Sequence, residues 1–139
     1  MRYIICVVLS GLLISCSGTG TKNFSAINSM MINSKEKIFV GRQPGYVGSG
    51  QVYKIFLNGK TVGKLGAGEM LVGDLTPGLN TLQAKFTGIT DFEMGSYTFT
   101  FKATKGSNKF IIVSFKMGGF SNSLRLMEVT ESSFKHSMR

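Results

Sequence analysis

Thiols, an imidazole and paired carboxylates are the groups with which a chain of this size could do chemistry, and here they are few. The 139 residues hold two cysteines, Cys6 and Cys16, and one histidine, His136. His136 lies in a polar, basic stretch close to the last residue, where an ordered base or metal ligand is not expected. Asp91 and Glu93 alternate within residues 87–95 and could share one side of an extended segment, as a glycosidase pair or a cation site requires. Two acids in a loop of a basic protein read more simply as partners for nearby lysines. Gly59-Lys60-Thr61 has the ending of a phosphate-binding loop, but the position that must be glycine is Lys54, and the residues after Thr61 have the pattern of a strand instead of a helix. Gly45, Gly48 and Gly50 precede a strand, whereas dinucleotide-binding glycines come after one and open a helix. The expectation is a protein that is not an enzyme and that takes no cofactor and no metal.

Cys16 is the residue with a role to play. It closes the string Leu13-Ile14-Ser15-Cys16, which comes after an apolar run from Tyr3 to Leu13 behind a single charge, Arg2. A basic start, an apolar middle and small residues at the exit are the parts of a secretory signal. The run is too short for a permanent membrane helix, which needs about 20 apolar residues. The string resembles the lipobox of bacterial lipoproteins, and the resemblance implies a signal peptide over residues 1–15, cleaved before Cys16, and acylation of the Cys16 thiol by lipid of the palmitate type. Two or more acyl chains hold a protein on a membrane stably, at about 0.8 kcal/mol per buried methylene. Ser17 in place of Asp after the cysteine implies the outer membrane, at its periplasmic face, over retention at the inner membrane. Cys6 leaves with the signal and Cys16 is consumed by lipid, so the folded part has no thiol for a disulfide, redox or metal role.

The chain is basic, with 16 Lys and Arg against 7 Asp and Glu and a formal charge of +9. Only Arg2 among the bases falls in the signal, so the processed protein stays basic. In an envelope the available polyanions are lipopolysaccharide, anionic phospholipid and wall polymers, and a tethered basic domain feels a general attraction to them. The bases are scattered singly or in pairs, as at Lys35, Lys37, Lys54, Lys64 and Lys85. With no Trp and no helix-turn-helix or RNA-binding sheet signature, nucleic acid is not an expected partner.

These assignments need elements to carry them. Residues 16–34 are rich in Ser, Gly, Thr and Asn and read as a lipidated tether, whose reach as a flexible coil is roughly 25 Å. Within it Ala26, Ile27, Met30 and Met31 fall on one face of a short helix that would pack back onto the domain. From residue 35 the pattern turns to short runs of β-branched and aromatic residues punctuated by glycine. Strands are expected at 37–42, 51–57, 60–65, 69–75, 79–86, 96–103, 109–117 and 123–130. Together they make an all-β fold, an antiparallel β-sandwich of seven to eight strands, Ig-like or prealbumin-like, over residues 35–131. A basic C-terminal tail, residues 132–139, comes after it. Tyr97, Phe99, Phe101 and Ala103 alternate with polar residues, so Phe99 is expected inside, and residues 110–115 are apolar on both sides, which predicts a central strand covered on both faces with Ile112 in the interior. Asn58-Gly59 suits a type I′ hairpin and Thr76-Pro77-Gly78 a type II turn.

The hairpin string Asn58-Gly59-Lys60-Thr61-Val62-Gly63 and the later Leu75-Thr76-Pro77-Gly78-Leu79-Asn80 resemble the core of small bacterial lipoproteins of a domain-of-unknown-function family and of PEGA-type β domains. That likeness implies a β-sandwich with a lipid anchor and no particular activity. Such domains often carry His where this chain has Asn80, so no histidine role carries over. The functional expectation is a lipid-anchored interaction or structural module that docks on another outer-membrane or secretion-type component. Its candidate contact residues are Phe92, Met94, Phe120 and Tyr46, apolar or aromatic side chains in glycine-rich, loop-like sequence. The alternative is binding of a small ligand or envelope glycan by the sandwich loops.

Overall fold

The computed structural model describes residues 18–45, 50–87, 93–117 and 122–139, with side chains at 87, 93, 94, 115–117, 122 and 123 left aside. Among them are eight strands, β1 (Lys37–Arg42), β2 (Val52–Leu57), β3 (Lys60–Leu65), β4 (Met70–Asp74), β5 (Gly78–Thr87), β6 (Glu93–Ala103), β7 (Lys109–Met117) and β8 (Asn122–Val129), and two helices, α1 (Phe24–Asn33) and α2 (Glu131–Ser137). The strands form two four-stranded sheets, one ordered β4-β1-β7-β8 and the other β3-β2-β5-β6. The sandwich expected from the sequence is present. Its pairings are antiparallel except for one, since β1 and β7 run parallel from Ile38↔Lys109 to Arg42↔Val113.

The side-chain period of two sorts each strand into faces. In β2, Tyr53, Ile55 and Leu57 are buried between the sheets while Lys54 and Phe56 point outward, half-buried. Ile38, Val40, Leu65, Leu82, Ala84, Phe101, Ile111 and Val113 complete that inter-sheet core. The intervening residues of the first sheet, Phe39, Phe110 and Ile112, point the other way into a second core closed by Ile27 and Met31 of α1 and Phe134 of α2, with Met138 just beyond it. The molecule is therefore layered helix, sheet, sheet, which is why β1 and β7 are apolar on both sides. Phe110 stacks on Phe39 at 5.3 Å between centroids and meets the tilted ring of Phe134 at 5.6 Å.

Three expectations change. Residues 18–34 are not a free tether. The short helix expected within it is α1 and packs back onto the domain as expected: Asn23 caps it through the Ala26 N–H, and the i, i+4 pair Ile27 and Met31 is buried against the first sheet. Ala26 and Met30 lie on its exposed side, Met30 at 40% exposure, so the buried stripe is narrower than the one read from spacing. The tail 132–139 is mostly helix: Thr130 caps α2 by accepting from the Ser133 N–H, and Phe134 is fully buried. The interior positions of Phe99 and Ile112 also divide. Ile112 is buried in the helix-facing core, whereas Phe99 is only half-buried because β6 is an edge strand. Along β6 burial grows from exposed Tyr97 to buried Phe101 and Ala103.

Candidate functional site at the loop end of the sandwich

Strand direction gives the sandwich two distinct ends. At one end lie the Asn58-Gly59 turn, with φ of 50° and 79° as a type I′ hairpin demands, and the turn at Gly78, φ 104°. Asn80, 1% exposed, ties these two turns together. Its side-chain amide donates to the Thr76 and Gly78 carbonyls (2.8 and 3.1 Å) and its oxygen accepts from Asn58 Nδ2 and Thr76 Oγ1 (2.9 and 3.2 Å). Asn58 in turn accepts the Thr81 N–H at 2.8 Å. Asn80 is thus a structural hub with its hydrogen-bonding capacity filled internally.

At the opposite end, β1, β3, β5 and β7 finish and β2, β4, β6 and β8 begin, as the registers Arg42↔Val113, Tyr53↔Leu65, Tyr53↔Phe86, Gly41↔Met70 and Met117↔Asn122 require. This is the loop end. The strand ends that flank Tyr46, Phe92 and Phe120 all belong to it. Those three residues and Cys16 lie outside the described residues; Met94 lies in β6, with its side chain outside them. Asp91 is likewise outside, and Glu93 is described only as backbone.

The same end receives the first described residues. The Thr19 N–H donates to the Lys64 carbonyl at 2.8 Å and Thr19 Oγ1 accepts the Lys64 N–H at 2.8 Å, while Thr21 and Met70 exchange N–H···O bonds of 2.9 and 2.8 Å. Residues 18–21 therefore bridge β3, an edge of one sheet, to β4, an edge of the other. Close approach of backbone favours glycine along this seam: a Cβ on Gly18 would stand 2.7 Å from the Gly66 backbone N, and one on Gly20 would stand 2.9 Å from the Met70 carbonyl O.

Beneath the seam is a cluster that sequence reading does not single out. Arg42 and Glu69, 6% and 8% exposed, and Tyr53, 1% exposed, share the top of the core. Arg42 donates to the Gln51 carbonyl (2.5 Å) and lies 4.8 Å from the Tyr53 ring centroid; the Tyr53 hydroxyl meets Gln51 Oε1 at 3.2 Å; Glu69 accepts the Gly66 N–H at 2.8 Å. Burial pushes the Arg42 guanidinium down from its ordinary pKa, with Tyr53 and Glu69 pulling it back, and burial pushes the Tyr53 hydroxyl up, with Arg42 opposing. These contacts brace the bases of the loops. Nothing in the sequence signals them, because Gln51, Tyr53 and Glu69 meet Arg42 only through the fold.

The outer face of the second sheet adds a row of charge. Lys54 of β2 is in register with Lys64 of β3 and with Lys85 of β5, and all three stand within two residues of their strands' loop ends on the face away from the core. Lys85 Nζ lies 5.3 Å from the Phe56 ring. The acids with described side chains are elsewhere: Asp74 pairs with Lys37, Glu128 with Lys109 at 2.5 Å, and Glu131 with Lys135 at 2.5 Å, while Glu36 accepts from the Gly106 N–H and Glu69 is buried. Among the described residues no three His, Cys, Asp or Glu side chains group as a metal site would, and His136 is exposed on α2. No helix among them is long and apolar enough to cross a membrane. Comparison with protein-family models, with curated proteins and with solved structures returns no match for this chain.

Proposed function

We propose that the chain is a bacterial envelope lipoprotein, anchored through Cys16 at the periplasmic face of the outer membrane, whose sandwich serves as an interaction or structural module for another outer-membrane or secretion-type component. The single observation that carries this reading is Leu13-Ile14-Ser15-Cys16 at the close of a short apolar run behind Arg2. The loop end adds support, because the strand ends flanking Tyr46, Phe92 and Phe120 lie where the chain leaving Cys16 joins the fold. Contact residues borne on those loops would meet a partner close to the bilayer. The module would act by location and surface, with the lipid supplying the location.

Labelling cells with a palmitate analogue and fractionating envelopes tests the anchor. The wild-type protein should take up label and sediment with outer membranes, and Cys16→Ser should lose both. An unlabelled parent, with the variant retained equally, overturns the anchor. Co-purification from solubilised envelopes tests the module: a stoichiometric protein partner is expected, weakened about tenfold or more by Phe120→Ser, given ~1.5–3 kcal/mol for one buried side chain and 1.4 kcal/mol per decade. A domain that retains a glycan and no protein overturns it.

A further inference from the structure

We infer that Asn58-Gly59 is a latent modification site: when the turn end of the sandwich opens, Asn58 deamidates through a succinimide, and the product keeps the turn from closing on Asn80 again. This is the one Asn-Gly step in the chain. Glycine has no Cβ, so the attacking backbone nitrogen is free of side-chain crowding. In the reaction the Gly59 amide nitrogen gives up its proton and bonds to Cγ of Asn58, the Cγ–Nδ2 bond breaks, and ammonia leaves with that proton. Water then opens the imide at either carbonyl, giving aspartate or isoaspartate at position 58.

The folded turn holds the reacting atoms apart. Ring closure needs Gly59 N eclipsed with Cβ of Asn58 about the Cα–C bond, and a type I′ turn, with Asn58 at φ 50°, holds ψ there near ~+30°, far from that alignment. The side chain is held as well, since Oδ1 accepts the Thr81 N–H at 2.8 Å and Nδ2 donates to Asn80 Oδ1 at 2.9 Å. The Asn58 N–H donates to the Thr81 carbonyl at 2.8 Å, so three bonds to β5 pin this residue. The lock nonetheless sits where local opening is easiest. Asn58 and Gly59 are exposed, β3 is an edge strand, and the β2–β3 register shifts between Ile55 and Phe56, close before the turn.

The product cannot re-form the lock. Aspartate at position 58 has no N–H to give Asn80 and sets a second acceptor against Asn80 Oδ1. Asn80 cannot turn its amide round in answer, because its Nδ2 is bound to the Thr76 and Gly78 carbonyls at 2.8 and 3.1 Å, and a turned amide would set oxygen against both. Isoaspartate lengthens the backbone of a two-residue turn whose twist must match its strands. Opening of this end is thus converted from a reversible event into a permanent one.

Peptide mass spectrometry of the full chain, incubated at mildly alkaline pH with and without denaturant, reads the reaction at each asparagine. In denaturant Asn58 should convert faster than Asn28 and Asn33, which precede serine. Without denaturant it should convert at least about tenfold more slowly than with it, as expected where more than one hydrogen bond must open. Asn80→Ala should raise the native rate about fivefold, the worth of one hydrogen bond, while Gly41→Ala, a comparable loss of stability at the helix contact, should leave it at the parent's value. The product mimic Asn58→Asp should have a lower denaturation midpoint than the parent. A rate in denaturant no faster at Asn58 than at Asn28 and Asn33 overturns the site. Equal rates with and without denaturant overturn the lock, whether or not Asn80→Ala folds; so do equal rates in Asn80→Ala and the parent, or equal acceleration by Gly41→Ala. An Asn58→Asp midpoint equal to the parent's overturns the one-way step.

Discussion

Asn80 is buried with a completed hydrogen-bond set, so its removal leaves four groups on Asn58, Thr76 and Gly78 without their partner. An unsatisfied buried polar group costs ~1–3 kcal/mol, and Asn80→Ala should lower domain stability by about that much or more. A denaturation midpoint equal to that of the parent would contradict the hub. Asn80→Asp is the sharper variant, since it keeps the shape and the acceptor but removes both N–H bonds to carbonyls, and it should be at least as damaging at neutral pH. Tyr53 carries a second residue-level expectation. Burial raises its pKa above the ordinary value of 10.0, so the folded state holds the phenol proton more tightly than the unfolded chain does. That contribution to stability is fully present below pH 10 and is lost as pH rises through the folded value. Tyrosinate absorbance should show one phenol ionising later than the rest, in step with alkaline unfolding, and Tyr53→Phe should remove that late phase. A single titration centred near pH 10, with the protein still folded, would be the contrary result.

The strands were legible because each carries its own signal: alternation in β2 and β6, continuous apolar sequence in β7, and turn chemistry at Asn58-Gly59 and Pro77-Gly78. Observed bounds stay within a few residues of those expected, with β6 reaching back to Glu93. The second layer escaped. α2 spans only seven residues, too few for helical periodicity to register and too few for stability in isolation. Its signal was the Thr130 cap with Phe134 and Met138 beyond it at i, i+4, a pattern that gains meaning only against an apolar sheet face. The docking of residues 18–21 was illegible for a different reason, since its bonds to Lys64 and Met70 are made largely by backbone, which carries no residue-type signature. Of the contact candidates only Met94 falls in a described element, and that element is strand β6 instead of the loop expected for it. The helix layer is testable as an element. A Cβ on Gly41 would meet Phe134 ring carbons at 2.9 Å and Met138 Sδ at 2.7 Å, so Gly41→Ala overpacks this contact by ~1–3 kcal/mol. Phe134→Ala vacates it at ~3–5 kcal/mol. Because the two substitutions meet at one contact, the double variant should be less destabilised than the sum of the singles. Strict additivity would mean that α2 does not pack on β1.

For the whole molecule, the seam formed by residues 18–21 fixes where the chain enters the sandwich, between β3 and β4. Under the proposed acylation of Cys16 this docking would orient the domain as well as attach it, and the two can be separated by lengthening the chain just before Gly18. Insertion of about ten Gly and Ser residues between Ser17 and Gly18 adds a root-mean-square reach of ~17 Å, roughly twice the ~8 Å screening length at physiological salt. The seam bonds and both cores are untouched by such an insertion, so the melting temperature should stay within about 3 °C of the parent's, as for surface changes worth less than ~0.5 kcal/mol. Under the proposed acylation of Cys16, membrane retention should also persist, because it would depend on the acyl chains. If the insertion instead lowers the melting temperature by about 5 °C or more, residues 18–21 do not hold the seam by their own bonds, and the fold depends on the chain before them.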